Sequence, residues 1–547
     1  MQFKIDQTAQ KLRGGYYTPQ DLALFISRWV TENDSFRNIL EPSCGDGNFL
    51  EAIAKSTRRK INVDAFEIEK SEVEKAIKRT NEFSHINANI FNKNFLEWFL
   101  KGRDKSFSYD AVVGNPPFIR YQYLPENSQA YAEMIYEQFG LPFRRHTNAW
   151  VPFVVASVGL LKPGGRLGMV VPAEIMHVMH AQALRYYLGT NCSQILIFDP
   201  EDLWFEGTLQ GAVIILAEKK KIPSVKGLGV GIVRTVGKDF VKNSPSGYFD
   251  KAQYINGKTI EGKWTRAFLN SSERDVFDSL TGNTRVFPFG EIADVDVGLV
   301  TGANSFFLVN EETVKQYDLS KWAFPMFGRS EHCPGVIYDK LQHAENSRKG
   351  LPTNFIWFKV NGEKDLNSGA KKYVTMGEDL DLHKRYKCRI RKPWYTVPSV
   401  YITQIGMLKR AHDIPRLIYN ELGAYTTDTA YRIKTSQVAP DALVYCFVNS
   451  LTALSAELEG RHYGGGVLEL VPSEIEKMII PIPKGIKPNL KKLDKDFRQM
   501  KIDDILHEQD KKVLEGIGLN SAEQAALYGA WYKLRCRRQR INCDEEC

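Results

Sequence analysis

The sequence predicts an α/β protein. A doubly wound, Rossmann-like parallel sheet occupies the front of the chain, and a less regular α+β domain follows. Three observations predict this. Short apolar runs alternate with helical patterns as far as about residue 220. Glycine-rich or proline-stiffened corners follow the apolar runs, where a strand hands over to the next element. The alternation then stops at Lys219-Lys220-Lys221-Ile222-Pro223.

The elements follow in order. Asn38–Leu40 ends a first strand and leads into Glu41-Pro42-Ser43-Cys44-Gly45-Asp46-Gly47. Phe49–Thr57 reads as a helix, Ile61–Ile68 as a second strand, and Glu69–Arg79 as a helix rich in Lys/Glu pairs. Asp110–Gly114 is an apolar strand that ends at Asn115-Pro116-Pro117-Phe118. Ala149–Leu161 reads as a helix, Arg166–Pro172 as a strand after a Gly-Gly turn, and Ile195–Phe198 and Gly211–Ala217 as further strands. The Gly/Ser/Pro-rich stretch to about residue 260 reads as a linker. Short irregular segments with many aromatics, among them Trp357, Trp394, Tyr401 and Tyr431, continue to about residue 485. A helical stretch from about 503 to 540 ends in Lys533, Arg535, Arg537, Arg538 and Arg540. The expected domains are 1–240, 241–500 and a helical tail, 501–547.

Composition narrows the function classes. The 547 residues are 43% hydrophobic and 25% charged, the balance of an ordinary globular protein. The longest apolar run, Val151–Leu161, has 11 residues, against the roughly 20 that cross a bilayer. With no secretory h-region at the N-terminus and eight scattered cysteines without a CxxC, a cytoplasmic protein with reduced thiols is expected. No metal site is expected, because tight Cys or His pairs are missing. Lys and Arg outnumber Asp and Glu by 73 to 65, a charge of +8 that permits a polyanionic partner.

The chemistry concentrates at strand ends. Asn115-Pro116-Pro117-Phe118 sits at the carboxyl end of its strand, where open α/β sheets bind ligands. Two prolines remove both N–H donors and leave acceptors, the Asn115 side-chain oxygen and the Pro116 carbonyl, beside an aromatic ring. That suits a planar aromatic substrate bearing an amino group. Taken alone, it equally suits a rigid turn over a buried aromatic. The Glu41–Gly47 turn lets backbone approach a ligand closely but lacks GxGxxG spacing, so a dinucleotide fits poorly. Glu67, at the end of the next strand, is placed to bond ribose hydroxyls.

The ordered set resembles the gamma-class, TaqI-like adenine-N6 DNA methyltransferases of type II restriction–modification systems. The pieces are Tyr17-Thr18-Pro19, Glu41 to Gly47, Glu67, and Asn115 to Phe118, followed by Leu161–Arg166 and Phe205-Glu206-Gly207-Thr208. The resemblance covers about residues 10–220. It implies S-adenosylmethionine as cofactor. Tyr17, Thr18 and Pro19, with the loop of Glu41, Pro42, Ser43, Cys44, Gly45, Asp46 and Gly47, would hold its methionine part. Glu67 would bind the ribose, and Ile68 and Phe95 would pack on the adenine. The family's acid at the third strand's end is Asn94 here, an acceptor without charge; Asn115 also borders this site.

The implied reaction begins with extrusion of the target adenine from the duplex. Asn115 and Pro116 would accept both hydrogens of N6, Pro117 would stiffen the loop, and Phe118 and Phe205 would stack on the base. The second domain would read sequence. Lys384, Arg385, Lys387, Arg389, Arg391 and Lys392 lie in a ten-residue run without an acid and read there as phosphate contacts. The expected partners are double-stranded DNA and, functionally, a cognate restriction endonuclease, with the chain acting as a monomer. Rival readings are an RNA adenine methyltransferase, a protein-glutamine methyltransferase, and a non-catalytic DNA-binding specificity protein.

Overall fold

The computed structural model describes residues 17–102, 109–124, 126–144, 147–201, 204, 211–256, 262–359, 365–435, 437–463 and 465–541. It divides into two compact units, Met1–Phe268 and Leu269–Cys547.

The first unit is built on an eight-stranded sheet. Its strands are β1 (Asn38–Glu41), β2 (Ile61–Glu67), β3 (Ile86–Asn92), β4 (Tyr109–Gly114), β5 (Leu161–Pro172), β6 (Cys192–Pro200), β7 (Ala212–Lys219) and β8 (Gly229–Thr235). The order is β3-β2-β1-β4-β5-β7-β6-β8. The strands from β3 to β5 run parallel, and β7 is antiparallel to both its neighbours. The helices are α1 (Gln20–Thr31), α2 (Asn48–Ser56), α3 (Lys70–Thr80), α4 (Phe95–Lys101), α5 (Glu126–Gln138), α6 (Trp150–Leu160) and α7 (Gln182–Asn191). The apolar stretches read from sequence are the central strands, buried on both faces as parallel strands are.

The reading of residues 220–260 as a linker is corrected. β8 lies within that stretch and pairs in parallel with β6 from Gln194↔Gly229 to Pro200↔Thr235. Phe240 and Phe249 join the sheet's core, and Phe249 stacks on Trp29 with centroids 4.4 Å apart. Glycine and serine there mark turns between packed pieces. The first unit therefore ends at Phe268 rather than 240.

The second unit holds two four-stranded sheets. One is antiparallel and joins Ala293–Val297, Ala430–Thr435, Ile405–Leu408 and Leu417–Tyr419 in that order. The expected separate tail at 501–547 is also corrected. Its last helix, α9 (Ser521–Gln539), packs on α8 (Ser450–Glu459), and Arg538 is buried against Glu457. Among the described residues no helix is long and apolar enough to cross a membrane.

Candidate active site

Strand order, not direction, turns back between the parallel neighbours β1 and β4, the place where an open parallel sheet leaves a crevice. A cavity of about 590 Å³ lies there. Its walls come from the carboxyl ends of β1, β2 and β4, the loop before α4, and residues Ile119 to Phe153 beyond the Asn-Pro-Pro-Phe loop.

The turn after β1 is held open by glycine. Gly47 caps α2 at φ 86°, and a Cβ there would come within 2.9 Å of the Ala76 Cα in α3. Only glycine lets these helices approach while the turn keeps its left-handed corner. Glu67 braces the same turn. Its carboxylate accepts from Gly45 N–H at 3.0 Å, Ile68 N–H at 2.8 Å and Glu69 N–H at 2.9 Å. Three backbone donors use much of its acceptor capacity, so a ribose hydroxyl would share an acid already fixed in place. The Tyr17 ring lies over Gly45 and its hydroxyl donates to Glu72 at 2.7 Å. Burial and that bond push the phenol up from its ordinary value.

Glu41 is the singular group. It ends β1, is 1% exposed and lines the cavity. Neither carboxylate oxygen has a hydrogen-bond partner among the described residues. Burial, then the nearby Asp46 and Glu67 charges, holds its carboxyl well above the ordinary range. The Thr18 hydroxyl, also at the wall, is likewise buried without a partner. Such orphaned polar groups mark a ligand site.

Of the residues expected here, Tyr17, Thr18, Glu41, Pro42, Ser43, Cys44, Gly45, Glu67, Ile68, Asn94, Phe95, Asn115 and Pro117 line this one cavity. Ile68 is exposed and Phe95 is held in an aromatic cluster with Phe66, Trp98 and Phe153. The Ser43 hydroxyl donates to the Asn115 carbonyl at 3.1 Å, which ties the two loops together. Pro19, Pro116 and Phe118 are not among the lining residues; Phe118 is half-buried against the core. The Asn94 side-chain oxygen caps α4, accepting from Leu96 N–H at 2.9 Å and Glu97 N–H at 3.3 Å, while the residue lines the cavity. Phe205 lies outside the described residues.

Several wall residues had escaped the sequence reading. Glu69 and Glu72 join Glu41, Asp46 and Glu67 as lining acids, against one lining lysine, Lys93. On the far wall Asn148 donates to the half-buried Glu174 at 2.7 Å, and Ala149 N–H bonds Ile119 O at 3.0 Å. No short motif marks these positions, because they come from loops with no fixed spacing.

A cofactor with a sulfonium, an ammonium and an adenosine ring suits this wall. The orphaned Glu41 and the acid excess favour its cations, and Ile68, Phe66 and Phe95 supply an apolar face for the ring. The strand order and its cavity define an S-adenosylmethionine-dependent methyltransferase of the mixed α/β type. Residues 21–204 match the family described as Eco57I restriction-modification methylase, and residues 261–514 match the C-terminal domain of the type II methyltransferase M.Eco57I. The chain belongs to these restriction–modification methylases, which makes it a DNA methyltransferase. It is 23% identical over 475 residues to the type II methyltransferase M.AccI of Acinetobacter calcoaceticus, covering 84% of each chain. It is 22% identical over 481 residues to M.XamI of Xanthomonas campestris pv. amaranthicola, covering 86% of this chain and 85% of that one. A tRNA1(Val) (adenine(37)-N6)-methyltransferase of Tolumonas auensis is 26% identical over 199 residues, 35% of this chain and 73% of its own.

The basic run of the second unit is not one surface. Lys384, Arg385, Lys387, Arg389 and Lys392 are exposed, and Lys384 pairs with Asp381 at 2.8 Å. Arg391 instead turns inward, donating to Thr301 O at 2.7 Å, Thr396 O at 3.1 Å and Val300 O at 2.7 Å. Its reading as a phosphate contact is corrected: it is a loop tether.

Proposed function

We propose that this enzyme methylates N6 of an adenine extruded from double-stranded DNA, and that the modification protects a site from a cognate restriction endonuclease. The observation that carries the reading is Asn115, which follows β4 directly, lines the cavity that Glu41 lines, and is joined by its carbonyl to Ser43. The bound cofactor supplies a methyl group on a positive, good leaving group. The chain's own part is positioning and charge complementarity. The Asn115 side-chain oxygen and the Pro116 carbonyl accept the two amino hydrogens, which turns the nitrogen lone pair out of conjugation. The prolines hold those acceptors in a fixed corner. Tyr17, Thr18 and the turn from Glu41 to Gly45 hold the cofactor's amino-acid end, and Glu67 holds the ribose. Phe118 stacks on the extruded base. The exposed cations Lys384, Arg385, Lys387, Arg389 and Lys392 meet phosphates. Each enzyme acts as a monomer.

The RNA rival draws support from the tRNA enzyme's likeness, but that likeness is confined to 35% of this chain. That alignment leaves most of this chain unmatched, and a second unit with an exposed basic run has a ready use on duplex DNA. Labelled-methyl transfer to duplex DNA, RNA and protein in parallel tests the proposal, with sequencing of modified bases to locate the atom. N6-methyladenine in duplex DNA is expected; transfer to RNA alone overturns it. Asn115→Ala should lower transfer by about a thousandfold, the cost typical of losing a key transition-state partner, while calorimetry still shows cofactor bound. Near-full activity would remove Asn115 from the mechanism.

A further inference from the structure

A buried carboxylate with no partner is unstable as an anion. Glu41 is 1% exposed, both its oxygens are unpartnered among the described residues, and they border the cavity. The groups around it make the charge problem worse. On its own loop stand Asp46 and the buried Cys44, and Glu67 ends β2. Glu69 and Glu72 stand at the start of α3, and Lys93 lies before α4. The Arg79 guanidinium of α3 is taken by Asp46 at 2.6 Å and Glu51 at 3.2 Å. No cation reaches Glu41 from any of these elements among the described residues.

We infer that Glu41 selects a cationic ligand by a proton exchange: it is a neutral carboxylic acid in the free enzyme and becomes a carboxylate when the positively charged cofactor enters. The inference rests on the cofactor assignment. The balance is simple. The O–H bond of the Glu41 carboxyl breaks, its electron pair stays on oxygen, and the proton passes to buffer. The ligand's positive charge replaces the proton as the partner of the buried oxygen. Binding therefore expels close to one proton, and a ligand without positive charge has no means to drive that exchange. Burial and the neighbouring acids set the direction, since both disfavour the anion until a cation arrives. Glu67 differs because backbone N–H groups already satisfy its charge.

Calorimetric titration of the full chain with S-adenosylmethionine, in two buffers of different ionisation enthalpy, tests this. The pH should stay between about 5.5 and 7, where the ligand's own amine remains protonated. Release of close to one proton is expected, with apparent affinity rising about tenfold per pH unit. Infrared difference spectra should show a protonated-carboxyl carbonyl band lost on binding. In Glu41→Gln the release, the pH slope and the band should all vanish, with circular dichroism reporting whether the variant folds. If that variant does not fold, the buffer comparison and infrared band on the unmodified enzyme still decide. Binding without proton release overturns the inference and leaves the cofactor assignment standing. Absence of binding overturns the assignment and the inference together.

Discussion

Two buried glutamates separate the working part of this molecule from its scaffold. Glu41 in the first unit is 1% exposed and Glu457 in the second is 0% exposed. Their surroundings are opposite. Glu457 meets the Arg538 guanidinium through contacts of 2.7, 3.0 and 3.1 Å, and His462 Nε2 lies 3.3 Å away. Burial alone would push it up, but Arg538 and His462 override that and hold it at about 2. Glu41 has no such partner, and burial pushes it up unopposed. Equal burial thus carries no functional message by itself. A satisfied charge is structure, and an unsatisfied one beside a cavity is a place for a ligand.

The largest effect that sharpens this contrast comes from breaking the satisfied pair. Arg538→Met strands Glu457 as a buried charge and should cost about 3–5 kcal/mol. Urea unfolding measures it, and a loss below about 1 kcal/mol would mean the pair is not what holds α8 to α9. The next effect, about 3 kcal/mol, is read from pH. Glu457 has a folded value near 2, below the roughly 4.3 of an unfolded glutamate. Between those values the unfolded chain binds more protons, so stability rises with pH and is lost as pH falls through the folded value. Glu41 acts in the reverse sense. Its raised carboxyl keeps its proton longer in the folded state, so its contribution is full in acid and is lost as pH rises. Melting temperatures across pH should therefore lose their acid limb in Glu457→Gln and, in Glu41→Gln, the fall that sets in as pH rises above the roughly 4.3 of an unfolded glutamate.

The same distinction explains what was legible in the sequence. Glu41, Glu67 and Asn115 could be read because each ends or directly follows a strand, and adjacent parallel strands bring such ends together whatever the loops do. Gly47 was legible for a related reason, since a glycine at a strand-to-helix corner has a local backbone cause. β8 was hidden because its glycines, Gly229 and Gly231, mimic a linker, yet the cavity each leaves is filled by neighbouring chain at Ile255 and Ala252. The Asn148–Glu174 wall was hidden because hydrogen bonds across distant loops leave no period. Partnership, as opposed to residue type, is what sequence does not display. Asn94 looked like an available acceptor and also caps a helix; Arg391 looked like one cation among six and is a tether.

Arg391 and Arg389 carry the contrast over to cations. They stand two residues apart in one basic run, but only Arg391 is spent on the carbonyls of Val300, Thr301 and Thr396. Arg389 is exposed, with its guanidinium 5.5 Å from the Tyr386 ring. Arg391→Ala should destabilise the chain by about 2 kcal/mol, because several part-buried carbonyls lose a charged donor. Arg389→Ala should leave unfolding unchanged, weaken binding to all duplex sequences alike, and lower the salt slope of that binding by about one. Equal stability of the two variants would erase the distinction drawn between them.

The smallest effect is the most discriminating. A glutamine at position 41 has the shape of the neutral acid and no charge to bury. Near pH 7 Glu41→Gln should therefore be as stable as the unmodified enzyme or more stable by about 1 kcal/mol, since glutamine need not take up on folding the proton that the buried Glu41 carboxyl holds and the unfolded glutamate gives up. A scaffold residue behaves otherwise: its loss costs stability, as expected for Arg538. Urea unfolding of Glu41→Gln, set beside its weaker hold on S-adenosylmethionine, asks whether position 41 gives up stability for binding. Destabilisation by several kcal/mol would show instead that Glu41 has a structural partner, and would place it with Glu457.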